Sequence, residues 1–299
     1  MAAPNAIIAG IPAYNEEATV DRIVRDVRQY VDHVVVVDDG STDRTAERAR
    51  DAGATVLQHR TNQGYGASLE TIFLHAYAAG VEQLVILDGD GQHDPADIPA
   101  LLTRQLETGA EIVVASRYVA GPPISVPRYR RFGLAIVNLL MNSVLRWQHG
   151  HSGLSDTQSG FRAYKADAVQ SIAESNRIGN GMDASLGILF HAARYDYQIE
   201  EIPTEIQYDV ENRNTHNPVL HGFQLVFRIL WETVNSPGSR AGIAVLLPVI
   251  FLVLMIGSLL LLGNYWGVTA IVATVGIAAL LGVMLSTTAR SLLSSIMPR

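Results

Sequence analysis

The chain contains no cysteine. Disulfides, thiolate nucleophiles and cysteine-built zinc sites are therefore excluded. Lysine is almost absent too: Lys165 is the only one among 22 basic residues, a bias that suits a GC-rich or salt-adapted source. Positive charge is not in excess. The formal net charge is -7, which argues against bulk attraction to nucleic acid. No internal repeat or low-complexity tract is evident. The opening residues, Met1 to Asn5, carry no basic region, so no cleaved secretory signal is expected. A chain of 299 residues is long enough for one large α/β domain plus an appendage.

What is present alternates in period. Apolar runs over 6–11, 34–37, 54–58, 84–87 and 111–115 read as strands. Between them, 16–30, 42–52, 67–79 and 95–108 carry helical spacing, with Ser41 or Thr42 as the cap of the second helix. Further helix is expected near 180–194, and an edge strand over 199–208. Strand and helix alternating at this interval predict βαβ units and an α/β fold with a mainly parallel sheet.

The remainder is more apolar. Residues 125–147 open on Arg128, Arg130 and Arg131 and continue into a wide apolar face. That pattern reads as a helix in a membrane interface, with a buried core helix as the alternative. Residues 219–234 look similar. Residues 241–262 then run 22 positions without a charge, and 267–285 run 19. At ~1.5 Å per residue the first covers a ~30 Å hydrocarbon core. The connector Gly263-Asn264-Tyr265-Trp266 fits a hairpin at the interface. Arg240 before the spans and Arg290 and Arg299 after them place both ends on the cytoplasmic side of a cell membrane. The expected organisation is a catalytic domain over 1–210, a loop and second interface helix over 211–237, and a transmembrane hairpin over 238–299.

The polar signals gather after strands. Asp88-Gly89-Asp90-Gly91-Gln92-His93-Asp94 follows Leu84 to Leu87, where open α/β sheets bind ligands. Asp88, Asp90 and Gln92 are oxygen donors on alternate residues, suited to Mg²⁺ or Mn²⁺ bridging a diphosphate. His93 reads as a structural neighbour and not as a ligand. Ile11-Pro12-Ala13-Tyr14-Asn15-Glu16-Glu17, Val36-Val37-Asp38-Asp39-Gly40-Ser41 and Asn62-Gln63-Gly64-Tyr65-Gly66-Ala67 are each ordinary turn chemistry taken alone. Arg117 follows another strand with a planar fork for phosphate, and the arginines opening 125–147 stand at an anion-favouring helix start.

Together and in this order, these segments resemble glycosyltransferase family 2 on a GT-A fold, over roughly residues 6–165. With the interface helices and hairpin, the chain is similar to the polyprenyl-phosphate hexosyltransferases, such as the dolichyl-phosphate mannose and glucose synthases; the scarcity of lysine would suit a haloarchaeal member. The resemblance implies a nucleotide sugar as donor and a polyprenyl or dolichyl phosphate as acceptor at a membrane. It implies that Pro12, Tyr14 and Glu16 border base and ribose, and that Asp38 or Asp39 accepts hydrogen bonds from them. Arg60 and the Gly64 to Ala67 loop would approach the nucleotide, with Asp88 beside it. Arg117, Arg128 and Arg131 would take the acceptor phosphate. Asp90, Arg117 and Asp156 are the candidate catalytic group, Asp156 lying in Ser155-Asp156-Thr157-Gln158-Ser159-Gly160-Phe161-Arg162. Its role stays open between base and orienting group, because a phosphomonoester with a second pKa near ~6 is already anionic at neutral pH.

One departure bears on the donor. The mannose synthases of this family carry an Arg…Gly-x-Ser-Lys run after the edge strand. Here the run is Arg213-Asn214-Thr215-His216-Asn217-Pro218; the arginine is kept and the lysine is missing. That favours a UDP-hexose such as UDP-glucose over GDP-mannose. The reading is an inverting, metal-dependent hexose transfer. Two alternatives compete. A polysaccharide synthase would need more spans than two, and a non-catalytic nucleotide-sugar sensor would not need the acidic cluster and the acceptor-side loop together.

Overall fold

Buried β-branched residues lay out the sheet. His33–Asp38 (β2) is HVVVVD, and Gln83–Ile86 (β4) is buried along its whole length. In this computed structural model, residues 6–119, 137–142, 145, 153–175, 179, 181, 184–205 and 229 are described. The other strands are Ile7–Ala13 (β1), Thr55–Gln58 (β3), Ile112–Ser116 (β5), Arg162–Lys165 (β6) and Ile199–Pro203 (β7). The order across the sheet is β3-β2-β1-β4-β6-β5-β7. All pairings are parallel except those of β6, which runs antiparallel to both β4 and β5.

The helices are Val20–Val27 (α1), Thr45–Asp51 (α2), Tyr65–Ala79 (α3), Ile98–Thr108 (α4), Ala166–Ala173 (α5) and Ala184–Arg194 (α6). Side-chain alternation along the strands splits the core in two. Ala9, Ile11, Val34, Val36, Val85 and Leu87 join α1 and α4 on one face. Ile8, Val35, Val37, Leu84 and Ile86 join α3, α5 and α6 on the other. The result is a three-layer α/β/α unit.

Several sequence expectations need correction. Ser41 and Thr42 do not cap α2. Asp43 does that work instead, its Oδ1 accepting the Thr45 N–H at 2.9 Å. Arg162–Lys165 was read only as the end of a loop motif and is in fact the antiparallel strand. Of the helix expected over 125–147, residues 137–142 are helical, and Val137, Leu140, Met141 and Leu145 are buried while Leu139 is 56% exposed. At these positions most of the apolar side chains face protein; the rest of 125–147 lies outside the described residues. Arg128, Arg130, Arg131, the segment 219–234 apart from Ile229, and the hairpin over 238–299 lie outside the described residues. Among the described residues, no helix is long and apolar enough to cross a membrane. The chain divides into two units at residues 229 and 230.

Glycine at position 10 is a packing requirement. A methyl there would sit 2.3 Å from Ile72 Cγ2, and a β-branched side chain has little χ1 freedom to retreat. This close approach seats α3 on β1. Gly10→Ala should destabilise by about 1–3 kcal/mol. The cost should shrink in an Ile72→Ala background, a coupling measurable by thermal or denaturant unfolding of the four proteins in a double-mutant cycle.

Candidate functional site

Topology brings the site together. The carboxyl ends of β1, β2, β4 and β5 lie along one rim of the sheet, and each leads into a polar loop. Because β6 runs the other way, its beginning lies on that same rim. Residues 155–161 therefore arrive beside Asp88 although they precede their strand. A methyl on Gly160 would lie 2.9 Å from both Asp88 Oδ2 and Tyr65 Oη. Only a residue without a side chain lets the loop come this close.

Asp88, Asp90 and Gln92 stand on the loop after β4, all partly buried. Asp88 Oδ1 accepts from the Tyr65 hydroxyl at 3.1 Å, and Asp90 Oδ1 from the Gln92 N–H at 2.9 Å. Burial, then the charge of Asp90, pushes the Asp88 carboxyl up; Tyr65, Arg117 and Arg162 oppose the shift. Burial also raises Asp90. Glu16 is pushed up to about 7, by burial first and next by Asp90. The Tyr65 phenol is driven well above its usual value by burial and by Asp88, so it remains a donor.

Among the described residues, no three His, Asp or Glu side chains gather closely enough to enclose a metal ion. Two carboxylates and an amide oxygen on alternate residues form an incomplete shell instead. Such a shell suits Mg²⁺ or Mn²⁺ when phosphate oxygens supply the rest. The upward shifts of Asp88 and Asp90 point the same way, since a cation would answer them.

On the nucleotide side, Pro12 is buried within β1, while Tyr14 is 42% exposed at its end. Asn15 adopts φ +57°, a left-handed value asparagine tolerates. Its Oδ1 accepts the Thr42 N–H and its own N–H donates to Ser41 Oγ, both at 2.9 Å. Glu16 N–H donates to Thr45 Oγ1 at 2.8 Å. The first two loops are thus stitched into one wall. Asp38 and Asp39, expected to meet the base, already bind protein donors. Asp38 receives Ser41 N–H at 3.1 Å and Gln58 Nε2 at 2.8 Å. Asp39 receives Gln63 N–H at 2.9 Å, Gly64 N–H at 2.8 Å and pairs with His59 Nδ1 at 2.7 Å. Gly64 therefore does not offer its N–H to a ligand, and Arg60 beside it is exposed.

On the opposite side, Asp156 is 1% exposed. Arg117 closes on it in a fork, Nε to Oδ2 at 2.6 Å and Nη2 to Oδ1 at 2.7 Å. The N–H groups of Arg117, Gln158 and Ser159 also point at this carboxylate, at 3.2, 3.1 and 3.1 Å. Burial raises its pKa, but the Arg117 hydrogen bonds and charge outweigh that and hold it below the usual range. A carboxylate so supplied suits an orienting group and not a proton acceptor. The Arg117 fork expected to grip a phosphate grips Asp156. Arg128, Arg131, Arg213 and His216 lie outside the described residues.

Several contributors escaped the sequence reading. Glu201 on β7 receives Ser155 N–H at 2.8 Å and Asp156 N–H at 2.9 Å. Asn138 and Asn142, one helical turn apart, hold the backbone of Leu154 and Ser155 at 2.7 and 2.8 Å. That i, i+4 pair of amides inside an apolar stripe was the available signal. Arg162 is buried and donates to Thr157 and Ser185 carbonyls, both at 3.2 Å. His93 is buried against Phe161, and burial lowers it to about 4, so it is neutral.

Comparison with known proteins agrees with this architecture. The family model described as Glycosyl transferase family 2 matches residues 9–173. A UDP-N-acetylglucosamine–dolichyl-phosphate N-acetylglucosaminyltransferase of Methanococcus voltae is 26% identical, over 74% of this chain and 93% of its own. A polyprenol monophosphomannose synthase of Mycolicibacterium smegmatis is 30% identical, over 64% of this chain and 74% of its own. The fold is shared with glucosyl-3-phosphoglycerate synthase from Mycobacterium tuberculosis, solved with Mn²⁺, UDP and glucosyl-3-phosphoglycerate. Its TM-score is 0.59 at 21% identity, covering 76% of this chain and 79% of that one.

The Arg117–Asp156 pair carries a pH signature. Its folded-state carboxyl lies below the unfolded value of roughly 4, so its stabilisation is fully present above that pH. It is lost as pH falls through the lowered value. Asp156→Asn should cost about 3–5 kcal/mol at neutral pH, because it leaves a largely buried guanidinium without its counter-charge. Unfolding curves between pH 7 and pH 3 should show a smaller acid loss in that variant than in the parent.

Proposed function

The chain belongs to glycosyl transferase family 2, and from that premise we propose that it transfers a hexose from a nucleotide sugar to a polyprenyl phosphate. The observation that carries this reading is the approach of the 155–161 loop to Asp88 on the carboxyl rim. It sets a donor-side carboxylate pair against an acceptor-side wall built on Asp156 and Arg117. The two relatives named above act, by their names, on dolichyl phosphate and polyprenol monophosphate, which supports the acceptor class.

Asp88, Asp90 and Gln92 would hold Mg²⁺ or Mn²⁺. When bound, that cation offsets negative charge on the departing nucleoside diphosphate. The chain's own groups do the rest. The 13–17 and 39–45 walls, cross-linked by Asn15, Ser41 and Thr45, border base and ribose. Asp156 fixes the Arg117 guanidinium, and Arg117 with Arg128 and Arg131 would draw in the acceptor phosphate. A phosphate oxygen attacks the anomeric carbon as the bond to the diphosphate breaks, inverting that centre. The attacking oxygen is anionic at neutral pH, so no base is required, in keeping with an Asp156 already filled by donors. The missing lysine after Arg213 favours a UDP-hexose, with UDP-glucose first. The uncharged runs over 241–262 and 267–285 would hold the chain at the cytoplasmic face of a cell membrane, where lipid head and soluble donor meet.

Purified protein incubated with labelled UDP-glucose, UDP-N-acetylglucosamine or GDP-mannose, Mn²⁺ and dolichyl phosphate should move label into the organic phase. UDP-glucose should lead, and chelator should stop transfer. Absence of lipid-linked label with every donor would refute the acceptor assignment. Asp90→Ala should lower turnover by roughly 10²-fold or more, as expected when several kcal/mol of charge stabilisation is withdrawn. Gly160→Ala, which crowds Asp88 without removing a polar group, should lower turnover by roughly 10²-fold at nearly unchanged melting temperature, since small misplacements at a reacting centre are costly.

A further inference from the structure

We propose that Tyr65 is a positioning residue for the cation site: its hydroxyl aims the Asp88 carboxylate and ties it to the loop that borders the donor nucleotide. The inference rests on the reading of Asp88 and Asp90 as cation ligands. Tyr65 is the first residue of α3, directly after Gly64. Its hydroxyl donates to Asp88 Oδ1 at 3.1 Å. A methyl on Gly160 would lie 2.9 Å from Asp88 Oδ2, 3.2 Å from Oδ1 and 2.9 Å from the Tyr65 hydroxyl. The hydrogen-bonded pair therefore lies directly against the Gly160 backbone, which leaves the carboxylate little room to turn away from the tyrosine.

The tyrosine is itself anchored. Gly64 has φ +98°, and its N–H is held by Asp39 Oδ2 at 2.8 Å. Asp39 also holds the Gln63 N–H at 2.9 Å and His59 at 2.7 Å, and His59 reaches Thr71 on α3 at 2.9 Å. Thus Asp39 fixes the turn, the turn fixes the start of α3, and the start of α3 aims Asp88. Partners that orient a metal ligand without touching the metal commonly govern affinity by roughly 10–100-fold. Nothing in the composition of a Gly-Tyr-Gly turn would announce this role; it emerges only from the hydroxyl's reach across to the next strand.

The test measures Mn²⁺ binding directly, from the electron paramagnetic resonance signal of free Mn²⁺, on the full chain in detergent with UDP present. Tyr65→Phe keeps the ring and removes the hydroxyl. It should weaken Mn²⁺ binding by roughly tenfold. Tyr77→Phe, at an exposed tyrosine bonded to Glu174, should leave Mn²⁺ binding as in the parent. In an Asp88→Asn background, Tyr65→Phe should bring no further loss. An unchanged Mn²⁺ affinity in Tyr65→Phe would overturn the inference while leaving the proposed transfer intact. So would a loss of the same size in the Asp88→Asn background, which would mark a general packing effect. A parent protein that neither binds Mn²⁺ nor moves label to lipid would instead overturn the parent reading, and this inference with it.

Discussion

Two carboxylates one residue apart, on a partly buried loop, repel each other where water screens them poorly. Asp88 and Asp90 are in that position, and Glu16 adds to the strain. Much of the surrounding structure answers this repulsion. The Tyr65 hydroxyl donates to Asp88, and the charges of Arg117 and Arg162 favour its ionised form. Arg117 also bonds Asp156, and Arg162 also bonds the Thr157 and Ser185 carbonyls. Their compensation is partial, because the Asp88 carboxyl stays raised. On the proposed reading, a cation bound at this rim, with a diphosphate, would answer the repulsion that remains.

The antiparallel strand is what makes the opposite wall possible. In an all-parallel sheet, the residues before a strand lie on the far rim from the residues after it. Reversing β6 places its leading loop, 155–161, with the trailing loops of its neighbours. That loop is then held from three directions: by Glu201 on the edge strand, by Asn138 and Asn142 in the helical 137–142 segment, and by Arg117 directly after β5. Most N–H groups of the loop backbone already have acceptors within the protein, which lowers the ordering cost that falls on binding.

Legibility in the sequence followed the range of the interactions. Valine runs and the 3.6-residue spacing of Val20, Ile23, Val24 and Val27 report burial locally, so strands and helices were placed within a few residues. The acidic cluster was legible because its donors lie on consecutive alternate positions. By contrast, Arg162–Lys165 is a four-residue strand holding an arginine and a lysine, and no local period marks it. Its arginine is buried only because carbonyls of Thr157 and Ser185 await it. The internal partners of Asp39 and Asp156 were not legible, because a sequence does not reveal which backbone N–H groups fold back onto a carboxylate. The Ser41 and Thr42 cap failed for a related reason: Asn15, 26 and 27 residues earlier, takes both of them.

This occupancy changes where selectivity must reside. Asp38, Asp39 and Asp156 act as cross-links, and their oxygens face inward to N–H groups. On the proposed reading, recognition of the donor would also draw on the exposed ring of Tyr14, the raised carboxyl of Glu16 and the exposed Arg60. A neutral Glu16 can donate a hydrogen bond to a ribose or base acceptor, and an ionised one can only accept. Burial first and the charge of Asp90 next push Glu16 up to about 7, and a cation held by Asp90 would oppose the second effect. On the proposed reading, donor recognition and cation binding would therefore be coupled electrostatically through Glu16.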